Sequence, residues 1–192
     1  MVSVLSELIR TFIAVEIESL DVLRELVKVK SRLVETGAEI KPVEDENIHL
    51  TLRFIGEIPA GLVKVLCNEV ASIKYPKFKI HVKGLGAFPN ISRPRVIWAG
   101  VAEGADKLAE LAGIVERIVR RLGIPPEREE FVPHITLARV KGSRGVDRLV
   151  RAVMDMQNVD FGYTDVTKLH VKKSVLTPSG PIYSDLCAVE LQ

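Results

Sequence analysis

The sequence predicts an α+β protein: a bilobal, duplicated fold in which two antiparallel-rich sheets face a central cleft and carry helices on their outer sides. Three observations carry that expectation. Alternating apolar segments are interleaved with helical runs in the order strand, helix, strand, helix, strand, and the series occurs twice. The two series align at a common offset of 85 residues, which takes Arg10 to Arg95, Ala14 to Ala99, and the helical run at 19–37 to that at 104–123. In each series one strand sets a histidine and a threonine two residues apart, so both point to the same side.

In the first series, RTFIAVEI (10–17) is rich in β-formers, and Glu18-Ser19 precede a helix that begins near Leu20 and ends at Gly37. A strand over 48–56 closes at Gly56. A helix then runs from about Ala60 to Lys74, stopped by Tyr75-Pro76, and a strand over 77–88 ends in GAFPN. The second series repeats the order: strand 95–101, helix 104–122 stopped by Gly123, strand 133–140, helix 146–156, strand 161–176. TPSGP (177–181) turns the chain into a final strand over 182–190. KIHVK (79–83) matches KLHVK (168–172) at an offset of 89, so the second copy carries a small insertion. Residues 1–192 thus read as one bilobal domain, with pseudo-repeats over about 10–90 and 95–178 and a closing strand. Residues 1–9 read as an extension ahead of the first strand.

Composition narrows the class. A net charge of +2 is too mild for coating nucleic acid by phosphate neutralisation alone, but it leaves room for a local basic cleft that grips one phosphate. Cys67 and Cys187 fit neither a zinc spacing nor a disulfide framework; they read as buried thiols, and a reducing cytoplasm follows. No apolar run approaches the ~18–20 residues of a membrane span, and the N-terminus lacks the basic region of a signal peptide. Asn and Gln together number six while Ile, Val, Arg and Glu abound, which points to a thermophilic source.

NIHLTLRFIG (47–56) and VPHITLARVKG (132–142) hold the chemistry. In the expected geometry His49 with Thr51 faces His134 with Thr136 across the cleft. Imidazole titrates near pH ~6.5, so one histidine can be neutral while the other is protonated: a general base opposite a general acid. The threonine hydroxyls can hold the non-bridging oxygens of a phosphate undergoing in-line attack. Neither motif supplies a third nearby ligand on its face, so no metal is expected.

HLTLRFIG and HITLARVK resemble the paired HxTx motifs of the two-histidine phosphoesterase superfamily. With RTFIAVEI, GLGAFPNISRPRVIWAGV and SVLTPSGPIY, the resemblance is to its RNA 2′,3′-cyclic phosphodiesterase branch, also called 2′-5′ RNA ligases. It implies a bilobal fold and hydrolysis of 2′,3′-cyclic phosphate ends to 2′-phosphates without a cofactor. His49 would be the proton donor and His134 the proton acceptor. It also implies RNA ends as partners, tRNA-derived ones among them, and a monomer. The rival readings are a phosphodiesterase for another small cyclic nucleotide and a non-catalytic RNA-end-binding protein.

Other residues are weighed singly. Arg139 resembles a phosphate-contacting arginine of that family, yet strict alternation would put it on the face opposite His134, so a bulge must re-aim it. Arg53 shares His49's face by alternation and is the rival substrate-binding arginine. Arg10 and Arg95 start equivalent strands and could line the cleft or cap it. His81 and His170, each flanked by lysines at i±2, read as solvated strand faces. Trp98 and Phe54 read as core.

Overall fold

The computed structural model describes residues 7–192. The extension read at residues 1–9 lies mostly outside this range. Thirteen elements longer than a single turn follow the order read from the sequence, with one strand added and one expected strand divided in two. They are β1 (Leu8–Glu16), α1 (Leu20–Glu35), β2 (Ile40–Pro42), β3 (His49–Pro59), α2 (Ala60–Ala71), β4 (Phe78–Phe88) and β5 (Val96–Val101), then α3 (Ala105–Arg121), β6 (His134–Val140), α4 (Val146–Asp155), β7 (Asp160–Val166), β8 (Lys168–Thr177) and β9 (Gly180–Glu190). The short β2 escapes a sequence reading because three residues are too few to show a period; it pairs with β6.

Helix α1 shows how sequence fixes an element. The Ser19 side chain accepts a hydrogen bond from the Val22 backbone N–H at its start. Val22, Leu26, Val29 and Leu33 recur on one buried face. Gly37, at φ 71°, ends it in the left-handed conformation that glycine adopts without strain. Helix α3 buries Leu108, Leu111, Val115, Ile118 and Val119 on the same principle.

The strands form one curled antiparallel sheet in the order β7-β4-β5-β6-β3-β1-β8-β9. The two expected sheets are its halves, joined where β6 meets β3 through a single register pair, Leu50 with Ile135. Helices α1 and α4 pack on the β6–β7 half, and α2 and α3 on the half from β3 to β9.

The lobes are therefore not the sequence repeats. Each repeat lends its last strand to the other half: β4 pairs with β5 and β7, and β8 pairs with β1 and β9. The strand expected over 161–176 is two strands for the same reason. Its alternation runs on almost unbroken, but at Thr167 the chain passes from β7, at one edge of the sheet, to β8, beside β1 in the other half.

The expectation of buried free thiols is overturned. Cys67 on α2 and Cys187 on β9 are half-buried and disulfide-bonded, with Cα atoms 6.2 Å apart. Their separation of 120 residues hides the pairing from the sequence, and the packing of α2 on β9 creates it. The bond removes the ground for expecting a reducing compartment, since intracellular proteins of hyperthermophiles also carry disulfides. No helix among the described residues is long and apolar enough to cross a membrane.

Candidate active site

The junction of the two sheet halves is the site. Leu50 and Ile135 are fully buried and point into the core, so their neighbours point the other way. In antiparallel register, His49 then lies opposite Thr136, and Thr51 opposite His134, about the Leu50–Ile135 pair. All four side chains line a cleft of about 910 Å³, with Arg10, Phe12, Phe54, Arg139 and Tyr183 among the other walls.

Both imidazoles are held alike. His49 Nδ1 lies 2.7 Å from the Asn47 carbonyl oxygen, and His134 Nδ1 lies 2.7 Å from the Val132 carbonyl oxygen. A carbonyl can only accept, so each Nδ1 carries a proton and each Nε2 is left for chemistry. His49 Nε2 accepts from the Thr51 hydroxyl at 2.8 Å while the ring is neutral. Aromatic side chains fix the ring planes. Phe12 and Tyr183 stand 5.2 and 5.4 Å from His49, and Phe88 and Trp98 stand 4.9 and 6.1 Å from His134.

Both histidines hold protons less tightly than free imidazole. For His49 the main cause is burial. The carbonyl of Asn47 and the charge of Glu16 oppose it, and the positive charges of Lys172 and His134 reinforce it. For His134 burial again leads, opposed by the Val132 carbonyl and reinforced by Arg139.

Two bulges decide which side chains join them. The β1–β3 register slips past Leu52, and the β5–β6 register slips past Leu137, the equivalent residue of the second motif. Beyond each bulge the alternation is inverted. Arg139 is thereby turned into the cleft, as its expected role requires.

The same inversion corrects two expectations. Arg53, expected beside His49, points to the opposite face with its side chain 8% exposed. There Nε donates to Glu116 at 2.5 Å and the guanidinium also donates to the carbonyls of Phe54 and Pro125. Arg53 is a structural ion pair tying β3 to α3. Phe54, expected in the core, is 43% exposed in the cleft wall, with the Arg10 guanidinium 4.6 Å above its ring. Of the paired arginines Arg10 lines the cleft and Arg95 does not. Trp98, also expected in the core, is half-buried beside His134 instead, with its ring over Gly86: a Cβ there would lie 2.3 Å from the ring, so glycine is required.

The lysine-flanked histidines are not solvated faces either. His81 stacks on Tyr163 at 4.3 Å and its Nε2 lies 2.8 Å from Asp160. His170 lies 3.0 Å from Asp185 and 3.8 Å from Glu16. Those three residues are the one grouping of metal-ligand type among the described residues. Lys172 sits within it, 2.9 Å from Glu16 and 2.8 Å from Asp185, so an ammonium already supplies the positive charge.

Phe12, Lys41, Glu44, Lys141, Ser174 and Tyr183 line the cleft without having been singled out by the sequence. For β1 a signal existed, because Phe12 alternates with Arg10. For Tyr183 and Ser174 none did, since their place depends on β8 and β9 joining the first half of the sheet.

The family model described as LigT-like phosphoesterase matches the chain twice, over residues 17–98 and 100–183, in step with the internal repeat. A protein of Aeropyrum pernix named RNA 2′,3′-cyclic phosphodiesterase is 44% identical over 165 residues, covering 86% of this chain and 94% of its own. One of the same name from Methanothermobacter thermautotrophicus is 37% identical, covering 93% and 96%. These sources agree with the thermophilic composition. Among solved structures, a Thermus thermophilus protein superposes with TM-score 0.75 at 31% identity, covering 95% of this chain and 97% of its own. Escherichia coli LigT complexed with 3′-AMP has the same fold, with TM-score 0.79 at 24% identity over 97% and 99% of the two chains. The chain belongs to the LigT-like phosphoesterase family.

Proposed function

We propose that the protein hydrolyses RNA 2′,3′-cyclic phosphate ends to 2′-phosphates, using His49 as acid and His134 as base and no metal. One observation carries the reading: two imidazoles on adjacent strands have Nδ1 anchored to a carbonyl, and both line the same cleft as two threonine hydroxyls. His134 Nε2 takes a proton from water, and the oxygen attacks phosphorus in line with the 3′ oxygen. The P–O3′ bond breaks, and His49 Nε2–H protonates the departing oxygen, leaving a 3′-hydroxyl and a 2′-phosphate. Thr51 and Thr136 donate to the non-bridging oxygens, and Arg139 binds the phosphate. Solvent returns the two protons to their starting sites.

The lowered proton affinities suit the base in the free protein. The acid needs the substrate: a bound phosphate anion raises the affinity of both rings and lets His49 charge. Metal independence is supported by the composition of the cleft, whose one lining carboxylate among the described residues, Glu44, is 3.3 Å from Lys41. Run backwards with a 5′-hydroxyl, the same groups join ends as a 2′-5′ linkage. The names of related proteins support RNA ends over other cyclic nucleotides as the substrate, and a cytoplasmic location belongs to the same proposal. The test is incubation with a 2′,3′-cyclic-phosphate oligonucleotide in EDTA. A terminal 2′-phosphate is expected; a 3′-phosphate, or loss of activity restored by a divalent ion, overturns the mechanism.

A further inference from the structure

Beside Arg139 the cleft carries two further cations, Lys41 and Lys141, that the proposed chemistry does not use. Lys41 on β2 is the direct register partner of Arg139 on β6. Lys141 follows Arg139 by two residues, and all three line the cleft and are exposed. Like charges set directly opposite each other on paired strands destabilise the pair. Of the three, Lys41 alone has an acidic partner among the described residues, Glu44 at 3.3 Å, and Glu44 also receives Asn47 Nδ2 at 3.4 Å. Three cations against one shared carboxylate leave this part of the cleft with an excess of positive charge that suits an anionic ligand.

Its spacing says which anion. Two residues along a strand span roughly 6–7 Å, comparable with the separation of successive phosphates in a nucleic acid strand. Arg139 lies next to the end of β6 and Lys141 one residue beyond that end, two residues further along the chain, with Lys41 paired to Arg139.

We propose that Lys41 and Lys141 bind the phosphodiester on the 5′ side of the terminal nucleotide, so that the protein selects oligonucleotide ends over mononucleosides. This rests on the reading of the histidine site given above, and assigns it a second phosphate subsite. Recognition is of charge rather than base, so the preceding nucleoside itself contributes little.

Three substrates separate the parts: a nucleoside 2′,3′-cyclic phosphate, the same compound bearing a 5′-phosphate, and a dinucleotide ending in the cyclic phosphate. Wild-type kcat/KM should rise at the second and stay there at the third. In Lys41→Ala and Lys141→Ala the dinucleotide-to-mononucleoside ratio should fall about threefold to tenfold for each lysine, with Lys41→Arg restoring it. Lys168→Ala, on the outer strand pair, should leave the ratio unchanged. The dinucleotide's dependence on salt should also be steeper by about one phosphate. Equal rates on all three substrates, or a preference that survives removal of both lysines, overturns the subsite while the hydrolytic reading stands. A preference that appears only with the second nucleoside replaces it by base recognition. A protein inactive on all three overturns both readings.

Discussion

The two sides of the cleft share a backbone and differ in what surrounds it. Each has the carbonyl-anchored histidine, the threonine two residues on, the bulged leucine, and a side chain re-aimed inward beyond the bulge. The first side is enclosed. His49, flanked by two aromatic rings as His134 is, also has Thr51 on Nε2 and the Glu16–Lys172–Asp185 ion pairs on the same sheet face. The second side is open: His134 Nε2 has no hydrogen-bond partner among the described residues, and the charge facing it is Arg139. Beyond the bulges the equivalent positions hold Phe54 and Arg139. Duplication supplies a matched pair of histidines, and divergence around it makes one side enclosed and the other open, with Arg139 as its facing charge.

The strongest way to break the comparison is to remove either imidazole. His49→Ala and His134→Ala should each lower kcat about 10²–10⁴-fold, the range for losing a general acid or base. Substrate binding should change far less. Full turnover by either variant, measured on a cyclic-phosphate oligonucleotide, would remove that histidine from the mechanism.

The re-aimed positions sharpen it. Arg139→Ala should cost roughly 10- to 100-fold in kcat/KM, as expected for losing a charge-assisted hydrogen bond of about 1.5–3 kcal/mol, with thermal stability nearly unchanged. Phe54→Ala, at the equivalent position, should cost a few-fold at most, because its partner is the Arg10 cation rather than the phosphate. Arg53→Ala should do the reverse of Arg139→Ala: kcat/KM close to wild type, and stability lower by about 2–3 kcal/mol, because Glu116 loses a buried partner. Loss of turnover without loss of stability in Arg53→Ala would return that arginine to the cleft.

These arginines also mark where the sequence stops being legible. The element order, the repeat and both HxT pairs follow from period and spacing, because they are local. Leu52 and Leu137 carry no sign of bulging; the slip appears only against β1 and β5, and it exchanges the faces of Arg53 and Phe54. A one-residue slip moves every later side chain across the sheet. The exchange of β4 and β8 between the halves is equally non-local. It turns His81 and His170 from apparent surface residues into buried ones, 9% and 7% exposed, and it brings Tyr183 beside His49. The disulfide is the same lesson in covalent form, since it joins elements that only the fold makes neighbours.

The smallest expected effect is the most discriminating, because it asks whether the two sides are tuned by separate charges. In kcat/KM the alkaline limb reports loss of the proton from the acid, and the acidic limb protonation of the base, both limbs belonging to a coupled pair. Burial lowers the proton affinity of both rings, so the optimum for the free protein should lie below the ordinary imidazole value of about 6.5. The charges acting on His49 are Lys172 from β8, His134 from β6 and Glu16 from β1, while Arg139 acts on His134. Arg139→Met removes a positive charge, so His134 binds its proton more tightly and is blocked at higher pH. The acidic limb should move up, with the alkaline limb nearly fixed. Lys172→Met removes a positive charge facing His49 and leaves Glu16 without its cation, so His49 keeps its proton to higher pH. There the alkaline limb should move up. Both displacements should shrink in ~1 M salt, where the Debye length is about 3 Å. If Arg139→Met moves the alkaline limb and Lys172→Met the acidic one, His134 is the acid and His49 the base. If both move the same limb, the two sides are not separately tuned.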